Sequence, residues 1–341
     1  MAAPEPQTHP NLEPALLLSI EEHATALARQ AGALLLDSFH QDLHVEYKSS
    51  GRRDPVTNAD KQAEALITSG IAQRFPDHGI LSEETPVSTG LDREFVWVID
   101  PLDGTVNYMN RYPFFSVSIG VLHRGVPVAG ALFVPSPLVP QGQVIHARLN
   151  GGAFADDSPV HVYAGNEPSP NGLLTMSPSF RAYFRFGGPL RRSLGDIRVV
   201  GSIAYELALV SSGVLQSAAF NGPKVWDVAA GIIIVREAGG EVLARPRSHH
   251  WTPLRSFLDH DSGLPSDANL RNWRAWLLVG GPPVVNNMAS GLRPRPFWWL
   301  WARRMARVTR RRPTTPEATG QPAAGQDKGT QDAQQGPPRA V

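Results

Sequence analysis

The spacing of apolar residues predicts a protein that mixes helices and strands. A first helix is predicted because apolar positions recur mostly every three or four residues, at Leu16, Ile20, Ala24, Leu27, Ala31, Leu34 and Leu35. A second is predicted after the capping residues of Val56–Asp60, and its apolar positions continue at helical spacing until Pro76. The chain therefore begins with two amphipathic helices.

Short β-rich runs follow these helices. Phe95–Ile99 is apolar throughout, which predicts a buried strand that ends directly at Asp100. Phe115–Val121 alternates apolar with small residues, and a glycine and a proline separate it from the apolar run Val128–Val134. This pattern predicts a hairpin.

The second half of the chain continues the alternation. Ile203–Val210 is predicted to be helical, Val214–Phe220 to be a strand, and Asp227–Ala238 to be a helix that the pair Gly239–Gly240 ends. No internal repeat is evident, so the pattern favours a globular α/β protein.

Composition narrows the class of protein. With 341 residues, 42% of them hydrophobic, the chain can bury a sizeable core. Lys and Arg number 32 against 31 Asp and Glu, so no global field favours nucleic acid, and we expect no nucleic-acid partner. Zero cysteines exclude disulfides, thiolate metal sites and a cysteine nucleophile. Residues 1–14 lack the pattern of a signal peptide, and we expect a flexible N-terminus and a cytoplasmic protein.

The segment Asp100–Thr105 reads Asp-Pro-Leu-Asp-Gly-Thr and follows the first predicted strand. Its proline and glycine favour a tight turn that projects two carboxylates. Magnesium prefers oxygen ligands and commonly works beside substrate phosphates. Backbone N–H groups of Gly104 and Thr105 could open a short helix whose N-terminus suits a phosphate. Taken alone, the segment also has an alternative reading as an Asp-capped turn.

Two other stretches carry acidic residues with the same ambiguity. Leu81–Thr85 contains Glu83 and, in isolation, is typical of a solvated loop. Trp226–Gly231 contains Asp227 and, in isolation, is typical of a helix cap followed by close-packed small residues.

In this order, the three stretches resemble the inositol monophosphatase family of the lithium-sensitive, magnesium-dependent phosphatase superfamily. The strongest parts are Trp97–Tyr108, Tyr112–Phe114 and Trp226–Gly240, within a resemblance over residues 15–288. It implies an αβαβα sandwich of the inositol monophosphatase and fructose-1,6-bisphosphatase type. It also implies hydrolysis of a small phosphate monoester with Mg²⁺, in a protein of a kind that is often a homodimer.

The resemblance assigns metal ligands, and about two or three Mg²⁺ ions are implied. The ligands of a first magnesium are Glu83, Asp100 and the carbonyl oxygen of Leu102. Those of a second are Asp100, Asp103 and Asp227. Glu83 is implied to be catalytic as well.

Asp60 and Thr105 correspond to the family's pair that orients and activates the attacking water. Asp60 also has a purely structural reading, as a first-turn carboxylate near a helix N-terminus. Lys48 resembles a lysine on the family's mobile loop beside the metals, and its alternative is an ordinary surface lysine.

Substrate contacts are implied for Asp103, Gly104, Thr105, Gly201, Ser202, Ile203, Phe220 and Asp227. Ser202 has helix capping as its alternative reading. Phe220 stands where inositol-specific members carry an acidic residue. If its ring lines the alcohol side of the site, the substrate profile should be broad or directed away from inositol phosphate.

Other substrates and a function without catalysis are compatible with these motifs. Relatives act on histidinol phosphate, fructose 1,6-bisphosphate or 3′-phosphoadenosine 5′-phosphate, and a metal-binding regulatory protein could keep the fold without turnover. Beyond a phosphatase domain over residues 15–292, residues 293–312 combine tryptophans with arginines. Such a segment can bind weakly at a membrane surface or pack as a terminal helix. Residues 313–341 are predicted to be disordered.

Overall fold

A computed structural model describes residues 12–47, 55–86, 88–187, 190, 194–245, 250–258 and 264–296. The predictions for Lys48, for most of the 293–312 segment and for the 313–341 tail lie outside these residues. The chain divides into one compact unit over Met1–Arg295 and another over Pro296–Val341, and the elements below belong to the first.

The described helices of more than one turn are α1 (Pro14–Ser38), α2 (Asn58–Arg74), α3 (Thr105–Met109), α4 (Pro178–Tyr183), α5 (Ile203–Ser211), α6 (Val225–Glu237), α7 (Asp267–Asn272) and α8 (Pro282–Gly291). The strands of the first half are β1 (Val45–Tyr47), β2 (Pro55–Thr57), β3 (Gly79–Ser82), β4 (Phe95–Asp103), β5 (Ser116–His123), β6 (Val126–Ser136), β7 (Val139–Arg148), β8 (Ala153–Ala155) and β9 (Ser158–Pro159). Those of the second half are β10 (Leu173–Met176), β11 (Phe184–Phe186), β12 (Asp196–Ile197), β13 (Leu215–Asn221), β14 (Glu241–Arg245), β15 (Thr252–Pro253), β16 (Trp276–Gly280) and β17 (Leu292–Pro294).

The first sheet runs β3-β4-β5-β6-β7-β8-β9, and only β3 and β4 are parallel within it. Successive side chains of a strand point to opposite faces of the sheet, and both faces of this sheet are covered by helices. In β4, Trp97 and Ile99 join the core under α1 and α2, whereas Val96 and Val98 join the core under α5 and α6. Strand β4 therefore lies between two hydrophobic layers.

Helix α6 approaches this sheet closely because both partners carry small residues. Gly120 of β5 and Gly130 of β6 are paired across the ladder. A Cβ atom on Gly120 would lie 2.7 Å from the Cβ of Ala229, and one on Gly130 would lie 2.7 Å from the Cα of Ala230. The small residues after Asp227 thus fit this contact, which fixes the first turn of α6 above the sheet.

The second sheet runs β12-β10-β13-β16-β14-β15, and its outer face buries a third core with α4 and α8. Helix layer, sheet, helix layer, sheet and helix layer follow one another, as the αβαβα prediction requires. The predicted helices and the hairpin are confirmed. One boundary is wrong: β4 does not end at Asp100 but continues to Asp103, with an irregular register between the two residues.

Candidate active site

Parallel pairing of β3 and β4 places the first two acidic residues side by side. Ser82 is in register with Ile99, and the N–H of Glu83 donates to the Ile99 carbonyl at 3.1 Å. Glu83 therefore leaves β3 beside Asp100. The Asp100 side chain is 2% exposed, and its Oδ1 accepts the N–H of Leu102 at 3.0 Å, which forms the turn after the strand.

Asp103 connects this turn to the start of α5. Its Oδ2 accepts the Ser202 hydroxyl at 2.7 Å and the N–H of Ala204 at 2.6 Å. Burial raises the pKa of Asp103 to about 7; these hydrogen bonds oppose the rise, and the charges of Glu83 and Glu206 add to it.

Asp227 enters from the first turn of α6. Its Oδ2 accepts the N–H of Lys224 at 2.8 Å, as a first-turn carboxylate does when it caps a helix. Burial, then the charges of Asp103 and Glu83, raise the pKa of Asp227 well above its usual range. The helix-cap reading of this stretch is confirmed, and the same residue lies near the other acidic groups.

The negative charges of the four carboxylates act on one another. Burial raises the pKa of Asp100 most, and the charges of Glu83, Asp103 and Asp227 raise it further. Within the described residues, no three carboxylate or imidazole side chains are arranged closely enough to hold a metal ion. The donor set nevertheless fits magnesium, because it consists of oxygen atoms from carboxylates and the Leu102 carbonyl.

Asp60 and Thr105 form a second part of the same site. Asp60 is fully buried, and its Oδ2 accepts the Thr57 hydroxyl at 2.5 Å and the Thr57 N–H at 2.9 Å in a capping box. Its Oδ1 lies 3.3 Å from the Thr105 hydroxyl, which also lies 3.1 Å from the Leu102 carbonyl oxygen. The single hydroxyl proton can serve only one acceptor at a time. Burial raises the pKa of Asp60 to about 6 despite the Thr57 hydrogen bonds.

Two glycines shape the backbone here. Gly104 has φ 95°, and a Cβ atom on it would lie 3.1 Å from the Phe114 carbonyl oxygen. Gly201 has φ 90°, and a Cβ atom there would lie 3.2 Å from the Asn107 amide. The Asn107 amide donates to the carbonyls of Phe114 and Val200 at 2.7 and 2.9 Å, so it ties the two turns together.

The Gly201–Ser202 turn is held mainly from within. The Ser202 hydroxyl donates to Asp103 and accepts the N–H of Tyr205 at 3.2 Å, and the residue is 1% exposed. Its side chain therefore caps α5 and orients Asp103, whereas Gly201 is the exposed member of the turn.

Glu206 is a residue that the sequence reading missed. It is 4% exposed, and its Oε1 accepts the N–H groups of Val200 and Gly201 at 2.7 and 3.4 Å. Burial raises the pKa of Glu206, and the two N–H donors oppose this rise. The signal available in the sequence was a lone acidic residue in the otherwise apolar helix Ile203–Ser211.

Phe220 does not have the exposure that a wall of the site requires. The residue is 2% exposed and belongs to the core beneath α5 and α6, together with Val225 and Trp226. The neighbouring Asn221 is exposed instead. The ring faces the core because β13 alternates its side chains between two buried layers. Ile203 is half-buried against the same core. In the part of the chain that the structure describes, no helix is long and apolar enough to cross a membrane.

Comparisons with known proteins agree with this arrangement. The Inositol monophosphatase family matches residues 17–264 of the chain. "Nus factor SuhB" of Escherichia coli K12 is 35% identical over 234 residues, which cover 67% of this chain and 86% of that protein. "Inositol monophosphatase 1" of Solanum lycopersicum is 34% identical over 238 residues, which cover 65% and 84% of the two chains.

A solved structure shares the fold as well. The inositol monophosphatase from Anabaena (Nostoc) sp. PCC 7120 superposes with a TM-score of 0.61 at 30% identity, covering 81% of this chain and 95% of that one. The sequence match covers most of the compact unit, and the layered fold with its three carboxylate-bearing segments agrees with it. The chain therefore belongs to the inositol monophosphatase family.

Proposed function

We propose that this protein is a Mg²⁺-dependent hydrolase of small phosphate monoesters. Membership of the inositol monophosphatase family supports phosphatase activity. The observation that carries the metal dependence is the convergence of Glu83, Asp100, Asp103 and Asp227. The charges of their neighbours raise the pKa values of Asp100 and Asp227. A bound cation would stabilise the ionised forms of these groups, which their mutual repulsion opposes.

The residues that would hold magnesium are Glu83, Asp100, Asp103, Asp227 and the Leu102 carbonyl. Bound there, magnesium supplies positive charge that stabilises the leaving oxygen and lowers the pKa of water. Because Asp103 is fixed by Ser202 and Ala204, its second oxygen is presented in a set direction.

The chain's own contribution to the chemistry is the Asp60–Thr105 pair. Thr57 occupies one oxygen of Asp60, so the other is left for the Thr105 hydroxyl. A hydroxyl held in this way can orient a water molecule, and a carboxylate with a pKa near 6 can accept its proton at neutral pH. No nucleophilic side chain is required.

For the substrate, we propose a small sugar, cyclitol or related alcohol phosphate. The exposed Gly201 backbone, held by Glu206 and Asn107, is the segment that we expect to meet the alcohol. The burial of Phe220 removes the ring as an apolar wall, so the missing acidic residue remains the reason to expect weak preference for inositol 1-phosphate.

A phosphate-release assay tests this function. Purified protein is presented with inositol 1-phosphate, histidinol phosphate, fructose 1,6-bisphosphate and 3′-phosphoadenosine 5′-phosphate, with Mg²⁺ and with EDTA. We expect Mg²⁺-dependent release from at least one ester, lost in Asp227→Asn and kept in Asp92→Asn, which changes an exposed aspartate outside the site. Equal release in EDTA would contradict the metal mechanism.

A binding role in transcription is a second candidate, because the name "Nus factor SuhB" belongs to a 35% identical relative. This role would use the folded surface and need no turnover. Expression of the Asp103→Asn variant in a deletion strain separates the two functions: full rescue by this variant favours binding, and failure to rescue favours catalysis.

A further inference from the structure

Four arginines surround a cavity of about 490 Å³ that shares no lining residue with the carboxylate site. They come from α4, β11 and the strand β17 with the residue that follows it. The residues that form the basic cavity are Arg181, Phe184, Arg185, Phe186, Arg293 and Arg295. None of its described lining residues is acidic.

The pairing of two strands places two of these arginines opposite each other. Arg185 of β11 is in direct register with Arg293 of β17 in an antiparallel pair. Like charges placed directly opposite each other destabilise a ladder. The pairing is nevertheless extended at both ends, by the N–H of Gly187 to the Gly291 carbonyl at 2.9 Å and the N–H of Arg295 to the Tyr183 carbonyl at 2.7 Å. The fold therefore places two arginines directly opposite each other despite the repulsion between like charges.

Three of the four arginines have no ion pair with another described residue. Within the described residues, Arg181, Arg185 and Arg293 form no ion pair, and the Arg293 guanidinium donates only to the backbone carbonyls of Ser290 and Leu292. Other exposed arginines behave differently, since Arg29 pairs with an aspartate and Arg124 with a glutamate. The basic cavity thus differs from an ordinary charged surface.

Its floor is rigid. Phe184 is 4% exposed and stacks on Phe180 with ring centroids 4.7 Å apart, while Trp276 meets it edge-on at 5.0 Å. The guanidinium of Arg245 lies 5.2 Å from the centre of the Phe184 ring and adds another cation nearby. This aromatic packing already orders the side chains below the arginines. Binding of a ligand therefore costs less conformational entropy of the protein.

We propose that the basic cavity binds an anion that carries two or more phosphate groups. Guanidinium groups bind phosphate through paired N–H donors, and several of them together favour more than one phosphate. The volume falls within the roughly 300–1,000 Å³ of small-molecule sites. The phosphates could belong to a soluble polyphosphate compound or to the headgroup of a multiply phosphorylated lipid. This binding is independent of phosphate hydrolysis at the carboxylates.

Calorimetric titration of the full chain with tripolyphosphate, in EDTA and low salt, tests the proposal. The Arg185→Gln/Arg293→Gln double variant should raise Kd by roughly tenfold or more, because each charge-assisted hydrogen bond is stronger than a neutral one. Arg181→Gln, on a different element, should raise it by a smaller factor. Arg29→Gln/Arg124→Gln removes the same charge elsewhere and should leave Kd unchanged, as should Asp103→Asn.

Sedimentation with phosphatidylcholine vesicles, with and without phosphatidylinositol 4,5-bisphosphate, distinguishes the two sources. Binding to the phosphorylated vesicles that the double variant loses identifies a lipid headgroup. Tripolyphosphate binding without vesicle binding identifies a soluble ligand. The proposal is overturned if tripolyphosphate does not bind, if the folded double variant binds it as tightly as the wild type, or if the charge-matched control weakens binding equally.

Discussion

Two buried carboxylates in this protein have opposite surroundings. Glu21 of α1 is 3% exposed and meets His146 at 2.7 Å and Arg148 at 2.5 Å. Burial opposes its ionisation, but the hydrogen bonds from these two partners outweigh burial and hold the pKa of Glu21 below its ordinary value. Asp100 is equally buried, yet its neighbours are acidic, and burial together with their charges raises its pKa.

The difference separates a carboxylate that stabilises the fold from one that costs stability. Glu21 joins α1 to β7 through cations that the chain itself provides. Asp100 lies among other carboxylates, whose charges oppose its ionisation, and a bound cation would offset them. Such an arrangement is typical of functional sites, where stability is given up for chemistry.

The largest effect is expected for Asp103→Asn, which tests the group of neighbouring carboxylates. Loss of an anionic metal ligand removes several kcal/mol of transition-state stabilisation, so kcat for phosphate release should fall by roughly 10³-fold. Because the raised pKa means that ionised Asp103 destabilises the fold above its ordinary pKa, the Tm in EDTA at pH 8 should stay equal or rise. A variant that keeps wild-type turnover would remove Asp103 from the metal site.

A smaller effect is expected for Thr105→Val, which keeps the shape of the side chain and removes its hydroxyl. In the proposed mechanism that hydroxyl orients the attacking water, so kcat should fall by roughly 10²-fold without it. Thr105→Ser keeps the hydroxyl and should retain most activity. If valine and serine variants have the same kcat at saturating Mg²⁺, the Asp60–Thr105 pair is structural only.

Glu21→Gln tests the compensated group and should change stability without changing activity. Glu21 has a lowered pKa, so its contribution is present above the ordinary glutamate value of 4.5 and is lost as pH falls through the folded value. Burial lowers the pKa of His146, but hydrogen bonds with Glu21 and the Asp156 carbonyl outweigh this effect and raise it. The contribution of His146 is therefore present below 6.5 and is lost as pH rises through its folded value.

Between these two pH limits, Glu21→Gln should lower the free energy of unfolding by about 2 kcal/mol. At pH 9 the loss should be smaller, because only Arg148 remains charged. Urea unfolding at pH 5.5 and pH 9 measures both values, with Glu22→Gln as an exposed control on the same helix. An equal loss at both pH values would exclude a charged His146.

The smallest effect is expected for Glu206, which holds the Gly201 turn through two backbone N–H groups. Glu206→Gln keeps an acceptor oxygen and should leave kcat/KM close to wild type. Glu206→Leu removes the acceptor from two N–H groups, and about 1 kcal/mol of lost hydrogen bonding should lower kcat/KM roughly fivefold. Steady-state kinetics on the best ester of the panel compares them, and a larger effect of glutamine would show that the charge itself is needed.

Sequence reasoning reached the helices, the hairpin and the family because those depend on local periodicity and on contiguous motifs. It identified candidate ligands but not their arrangement. Pairing of β3 with β4 and packing of α6 on the sheet bring the four carboxylates together, at Glu83, Asp100, Asp103 and Asp227. Phe220 was misjudged because one position in a strand does not reveal which layer its ring faces.

Other parts of the site were out of reach for a related reason. Glu206 acts through the backbone of a turn several residues upstream, and no spacing rule signals that contact. The opposition of Arg185 and Arg293 depends on a strand pair that joins residues more than a hundred positions apart. Periodicity describes neighbours along the chain, whereas these contacts depend on tertiary pairing.

The close approach of α6 to Gly120 and Gly130 means that two residues without a side chain set the position of a proposed metal ligand. A methyl group at either position would push the helix outward, and Asp227 would move with it. The first measurable change would then be weaker affinity for magnesium, in a protein whose acidic residues are all intact. Adjusting the thickness of this layer is thus a route by which a chain of this fold can tune its metal requirement without altering a single ligand.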